Sequence, residues 1–294
     1  MVAYTGVVMI WSTTPLAIAW STHAAGFLFG VSSRMLLGAL LAFATVLLMR
    51  KKLIWHAHAR RAYLYGGLGI YGSMIMVYWG AQFVPSGWIA LLFGLSPIFS
   101  ALMAMLWLEG EPLTSQRMLG MLLGFAGLLV IFWQSLTLNP DAVWAVGAIL
   151  MASMTQSAAA VWVKRVNAPV PAITMTAGSL AVAAPLFLLT WLFSQDAPLA
   201  MHEIWQTAPN FALASIAYLA LFGSVLGFAL YFYVLQHVDA TRVALITLMT
   251  PVTALILGHQ LNGEALSANI IAGGMLVLSG LAIFMRRAPA HKQR

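Results

Sequence analysis

The sequence contains no cysteine. Disulfides and thiolate metal sites are therefore excluded, and the compartment cannot be read from cysteine usage. Charge is also scarce. Asp, Glu, Lys and Arg make up 7% of the chain, against about 25% in a soluble domain. The acids are Glu109, Glu111, Asp141, Asp196, Glu203, Asp239 and Glu264, each at the edge of an apolar run or between runs. No pair of acids and no His/Asp cluster inside an apolar run could run hydrolysis. A His-Glu-x-x-His helix, a phosphate-binding Gly-rich loop and a serine elbow are absent too. These absences argue against an enzyme and imply no cofactor and no metal.

What the chain has is apolar length: 62% of its 294 residues are hydrophobic. A span needs about 20 mostly apolar residues. Ten stretches qualify, at 3–22, 27–49, 62–82, 86–107, 116–134, 142–163, 172–193, 209–235, 238–260 and 266–286. Only Gln236, His237 and Asp239 separate the eighth from the ninth. The expected fold class is an all-α polytopic membrane protein. The opening Met1-Val2-Ala3-Tyr4 lacks a basic n-region, so the first stretch is expected to stay as a span.

The basic residues orient the spans. With the N-terminus inside, the inner side receives Arg50, Lys51, Lys52, Arg60, Arg61, Arg117, Lys164, Arg165, Arg242, Arg286, Arg287, Lys292 and Arg294. The outer side receives none, and Arg34 falls inside the second span. Positive-inside bias explains the net charge of +7 without a nucleic-acid partner. Both termini are then cytoplasmic, in the inner membrane. The partners are membrane lipids and a small-molecule substrate.

The chain also repeats itself. Val84-Pro85-Ser86-Gly87-Trp88-Ile89-Ala90-Leu91 up to Pro97 lies over Val238-Asp239-Ala240-Thr241-Arg242-Val243-Ala244-Leu245 up to Pro251. Trp79 and Gln82 match Tyr233 and Gln236; Gly110-Glu111 matches Gly263-Glu264; Gly120 and Gly127 match Gly273 and Gly280. The two repeats, 1–137 and 138–294, hold five spans each. An odd number turns the second upside down relative to the first, and such inverted repeats suit alternating access.

In these features the chain resembles the EamA branch of the drug/metabolite transporter superfamily. The resemblance covers essentially the whole sequence. It rests on the ten spans, the five-plus-five repeat, Trp11-Ser12, Arg34, the Pro97 and Pro251 spans, and Gly-Glu before Gly-rich fifth and tenth spans. It implies exporters of amino acids and related metabolites, with importers also known. It further implies a central cavity lined by spans one to four and six to nine, with spans five and ten outside. The small multidrug-resistance relatives carry a membrane-embedded carboxylate, which this chain lacks. Facilitated diffusion or exchange is therefore expected, unless a histidine such as His259 takes a proton.

Candidate substrate-binding residues follow. Arg34 lies roughly 10 Å below the outer surface at helical rise. It is either a counter-charge for a substrate carboxylate or phosphate, or a snorkelling or structural residue bonded to Ser32, Ser33 or carbonyls. Pro97 and Pro251 deny a hydrogen bond to the carbonyls of Phe93 and Thr247, with Ser96, Ser100, Thr250 and Thr253 close enough to help. They are hinges or static kinks. Tyr78, Trp79 and Gln82, and likewise Tyr231, Tyr233 and Gln236, form paired aromatic gates or interfacial belts. Trp11, Ser12 and Gln156, with Thr155 and Ser157, are mid-span and line a cavity or bond between helices. Trp20, Trp55, Trp107, Trp133, Trp144, Trp191 and Trp205 read as belt residues, and Trp162 as close to one. His56 and His58 read as solvated loop residues. The glycines of spans five and ten read as intramolecular packing, with a homodimer face as the alternative. Thr114 and Ser267 read as N-caps of those spans, and Glu111 and Glu264 as acids favouring their positive ends. A cationic or quaternary-ammonium substrate is the rival to an amino acid, and a non-transporting scaffold or sensor the remote one.

Overall fold

The computed structural model describes residues 2–23, 26–107, 114–132, 140–194, 209–237 and 240–285. The side chains of residues 2, 4, 132, 140, 235, 236 and 240–248 lie outside that description. Glu109, Gly110, Glu111, Trp133, Asp196, Glu203, Trp205 and Asp239 fall outside it, as do the side chains of Gln236 and Arg242. Among the described residues the chain is helical, without strands.

The helices are α1 (Val2–Ser21), α2 (Gly26–Leu48), α3 (Ala57–Gly80), α4 (Ser86–Phe93), α5 (Ser96–Trp107), α6 (Ser115–Phe132), α7 (Pro140–Val166) and α8 (Ala172–Leu192). There follow α9 (Asn210–Tyr218), a π-helical segment Leu219–Leu226, α10 (Gly227–His237), α11 (Ala240–Asn262) and α12 (Ala268–Met285). Six stretches among them are long and apolar enough to cross a membrane: 26–48, 86–107, 141–166, 172–192, 210–234 and 268–285.

Two stretches expected as single helices are not. The 86–107 stretch breaks between α4 and α5. Pro97 cannot donate to the carbonyl of Phe93, and the Ser96 hydroxyl donates to that carbonyl at 2.7 Å instead. The chain turns at Gly94–Leu95, where the Gly94 amide donates to Ala90 and Leu91. Pro97 then opens α5, a position where its missing N–H costs nothing. The Pro251 stretch behaves differently: α11 runs through it unbroken. There Thr253 Oγ1 lies 3.0 and 3.1 Å from the carbonyl oxygens of Met249 and Thr250. The repeated proline thus yields a break in one place and a continuous helix in the other. The second departure is the 209–235 stretch, which carries a π segment at its middle: the Gly227 amide donates five residues back, to Phe222.

Local caps explain other ends. Thr114 Oγ1 accepts from the Arg117 amide and Ser267 Oγ from the Ile270 amide, both at 3.3 Å, as N-caps should. Helix α3 begins at Ala57, five residues before the expected start. The cause is His56, whose Nδ1 accepts from the Ala59 amide at 3.2 Å. This histidine therefore caps a helix instead of floating in a loop.

Helices α6 and α12 pack backbone against backbone. A Cβ placed on Gly120 would stand 2.5 Å from the Gly280 carbonyl oxygen, and one on Gly280 would stand 2.6 Å from that of Gly120. Gly127 and Gly273 face each other in the same way, each 2.5 Å from the other's carbonyl. The pairing runs antiparallel. Gly124 packs on Leu95 and Ile98 of the α4–α5 break. These glycines are therefore spent on intramolecular packing, in which missing side chains let two backbones touch.

This seam makes a prediction. Gly127→Val puts two methyls against backbone that cannot yield, and should destabilise the folded protein by about 1–3 kcal/mol. Gly147→Ala, where nothing lies within 4 Å of the new Cβ, should be close to neutral. Thermal unfolding of the two variants in detergent compares them directly; equal midpoints would show that the seam tolerates bulk.

Candidate functional site

Arg34 is 2% exposed and does not snorkel. Its Nε donates to Ser224 Oγ at 3.0 Å, and Nη1 to the Tyr78 hydroxyl at 3.4 Å. Met74 Sδ lies 4.0 Å from Nη1. These partners are a hydroxyl, a phenol and a thioether, with no carboxylate among them. Ser32, expected as a partner, donates instead to the Phe187 carbonyl. The guanidinium therefore sits buried and net positive, in a setting where a central arginine costs roughly 2.5–3.5 kcal/mol on insertion scales.

Ser224 belongs to the π segment, which packs between α1 and α2. Two glycines fit it there. Gly38 of α2 lies against Ser224, where a Cβ would stand 2.9 Å from Ser224 Cβ. Gly223 lies under the guanidinium, its notional Cβ 3.0 Å from Nη2. Three residues beyond Ser224, Gly227 meets Trp11 of α1, with Nε1 3.6 Å from its notional Cβ. Trp11 in turn packs on Tyr231, ring centroids 5.1 Å apart. One non-α turn thus carries the arginine contact on one side and the aromatic pair beside it. A π turn of this kind is rare and recurs at functional sites. The residue pattern did not reveal it. A usable signal existed: the 209–235 stretch is longer than its neighbours and holds a serine flanked by Gly223 amid apolar residues.

The other candidates divide. Ser12 is buried; it donates to the Val8 carbonyl at 2.7 Å and accepts from Thr253, tying α1 to α11 beside Thr250 and Pro251. The Ser96 carbonyl accepts from Ser157 of α7 at 3.1 Å. The neighbouring Gln156 Oε1 is buried without a partner among the described residues. Tyr78 joins Arg34, whereas Trp79 packs on Phe83, centroids 5.1 Å apart. Gln82 is exposed and its amide donates to the Trp79 carbonyl. Tyr233 departs from the expected gate. It is 47% exposed and stacks on His237, because two residues along a helix turn it away from Tyr231.

Trp107 and Trp162, read as belt residues, converge with Tyr65. Each of the two rings is 5.3 Å from Trp162, and Arg165 lies 4.9 Å over it. Trp20 has a bond no belt requires: its indole donates to Asn262 Oδ1 at 2.9 Å.

Glu264 also departs from its expected role. It does not serve the helix that follows it. Oε1 accepts from the Ser86 amide at 2.9 Å and Oε2 from the Gly87 amide at 3.2 Å, capping α4, which lies far from it in the sequence. Asn262 Nδ2 donates to the same Oε1 at 3.0 Å.

Comparison with known proteins bears on this arrangement. The sequence model of the EamA-like transporter family matches residues 2–133 and 143–286. The chain belongs to the EamA-like transporter family. Among relatives, the uncharacterised transporter YoaV of Bacillus subtilis is 28% identical over 286 residues, covering 96% of this chain and 94% of its own. The uncharacterised inner membrane transporter YedA of Escherichia coli K12 is 27% identical, covering 88% and 81%. A protein named a probable terminal-alkyne amino-acid exporter, from Streptantibioticus cattleyicolor, is 26% identical, covering 78% and 74%. One crystal structure matches with a TM-score of 0.67 at 19% identity, over 96% of this chain and 94% of that one, which fixes the fold alone. This EamA-like chain is a membrane protein with several apolar spans.

The arginine contact can be weighed directly. Ser224→Ala removes the acceptor of Arg34 Nε and should cost about 1–3 kcal/mol. In a double-mutant cycle with Arg34→Ala the losses should fall short of additivity by more than about 0.5 kcal/mol. Additive losses in denaturant titrations would mean the bond contributes nothing.

Proposed function

We propose that this protein exports small zwitterionic metabolites, amino acids foremost, across the cytoplasmic membrane by alternating access. The observation that carries the proposal is Arg34: a buried guanidinium whose contacts are all uncharged. A carboxylate on a solute would complete it, and the exchange of water for this site would select anions by charge-assisted bonds. Trp11 and Tyr231 enclose the side chain of the solute, and Ser12, Ser96, Gln156 and Thr250 offer polar contacts. The name of the S. cattleyicolor relative supports an amino-acid substrate.

The architecture we infer is ten spans in two inverted five-helix repeats, 1–137 and 138–294, with both termini cytoplasmic. Two observations support it. The family matches in two stretches of similar length. The glycine seam also has the required symmetry: the repeat equates Gly120 with Gly273 and Gly127 with Gly280, so exchanging the halves turns the Gly120–Gly280 contact into the Gly273–Gly127 contact. Rocking between halves would use the α4–α5 break and the Pro251 turn, which meet where a Cβ on Gly94 would stand 3.5 Å from Pro251 Cγ.

The second reading, a cationic solute held over Trp11 and Tyr231, has that ring pair in its favour. Counterflow of radiolabelled amino acids and cationic solutes in proteoliposomes separates the two. Zwitterion counterflow should fall at least tenfold in Arg34→Ala, on the scale of a charged bond, with the protein still monodisperse. Counterflow confined to cations and unchanged by Arg34→Ala would overturn the carboxylate role.

A further inference from the structure

Four residues after Tyr78, just past the end of α3, the chain reaches Gln82, and there a recess of about 360 Å³ opens. Thr22 and His23 at the end of α1, Gln82 and Ser86 around the start of α4, and Asn262 and Glu264 after α11 line it. Its lining contains one carboxylate and no lysine or arginine. Two features suggest a built site. Ser86 is 1% exposed and its hydroxyl has no hydrogen-bond partner among the described residues. A buried hydroxyl left unmade costs about 1–3 kcal/mol, so it normally has a partner. Glu264 is also held in place but not exhausted. A carboxylate has about four acceptor positions, and the Ser86 amide, the Gly87 amide and Asn262 fill three. The open position is on Oε2.

The third party is Gly258. A Cβ there would collide with Glu264 Oε2 and lie 3.1 Å from Ser86 Oγ. The free hydroxyl and the under-used carboxylate oxygen therefore sit over the same glycine. Two acceptors, one anionic, beside a recess without cations make a receptor for a hydrogen-bonded cation. An ammonium group fits, having three donors and one charge.

We propose that this recess is a binding subsite for the ammonium group of a small solute, held by Glu264 Oε2 and Ser86 Oγ. It rests on the transporter reading for its place on a path: its lining residue Gln82 follows by four positions Tyr78, whose phenol contacts Arg34. On the proposed orientation it is the outer mouth, where an exported zwitterion leaves the arginine and is held by its other end.

The absence of cysteine makes the test clean. Thr22→Cys in the full-length protein introduces the single thiol of the chain, within the recess. Propylammonium chloride should slow its labelling by a maleimide, whereas sodium propionate and sodium chloride at equal concentration should not. Glu264→Gln should raise the half-protecting concentration at least about tenfold. Gly258→Ala, which displaces the flexible carboxylate end without adding a polar group, should do the same and serves if Glu264→Gln fails to fold. Arg34→Ala should leave protection unchanged while abolishing counterflow, which separates this subsite from the carboxylate site. Equal protection by propionate or sodium chloride, or protection indifferent to both Glu264→Gln and Gly258→Ala, would overturn the proposal. Protection that persists when no amino acid exchanges in counterflow would leave the subsite standing and defeat the transport reading alone.

Discussion

Hydrocarbon offers no hydrogen bonds, so every backbone group freed inside an apolar bundle must find a partner within the protein. Much of this structure follows from that constraint. Pro97 frees a carbonyl and Ser96 takes it. The α4 helix starts at the buried Ser86 and the Glu264 carboxylate collects two of its first amides. Mid-helix hydroxyls fold back onto carbonyls, as Ser12 does onto Val8 and Thr14 onto Ile10. These groups are satisfied locally, which leaves few polar atoms to join helices. Close packing does that instead, and its strongest expression is the glycine seam of α6 and α12.

Against that background the unsatisfied groups stand out. Arg34 spends two of its donor nitrogens on Ser224 and Tyr78, and the buried Gln156 Oε1, Ser73 Oγ and Ser153 Oγ have no partner among the described residues. A protein selected only for packing would remove such groups, because apolar replacements of similar volume are often neutral or stabilising. On the proposed reading a polar solute path would use such groups, since a path must offer bonds that the resting protein leaves open.

The repeated residues themselves were legible at once, because repetition of Pro97 with Pro251 and of paired glycines survives without any knowledge of neighbours, and the paired glycines do meet across α6 and α12. Burial of Arg34 was legible as a cost, yet its partners were not. Ser224 lies 190 residues away, and its approach depends on a π turn whose sequence trace is one long stretch. The gate of Tyr231 and Tyr233 failed for a simpler reason: residues two apart on a helix point to different sides, so only Tyr231 reaches Trp11. Glu264 was misread through proximity in sequence. A carboxylate beside a helix start is expected to serve that helix, but the chain folds so that the exposed amides nearest to it belong to α4.

That misreading carries a consequence for the transport cycle. Glu264 ties the connection between α11 and α12 to the start of α4, so on the proposed architecture it would join an element of one repeat to an element of the other. Any rocking of the halves that separates these elements must break two charge-assisted backbone bonds and leave both amides unpaired. Bonds of this type are each worth about 1.5–3 kcal/mol. A solute ammonium arriving at the open position of Oε2 would share that oxygen with the Gly87 amide. On the proposed alternating-access reading, sharing that oxygen would weaken the tie to α4 and so link the separation of these elements to the presence of the solute, by the difference in its affinity for the two states.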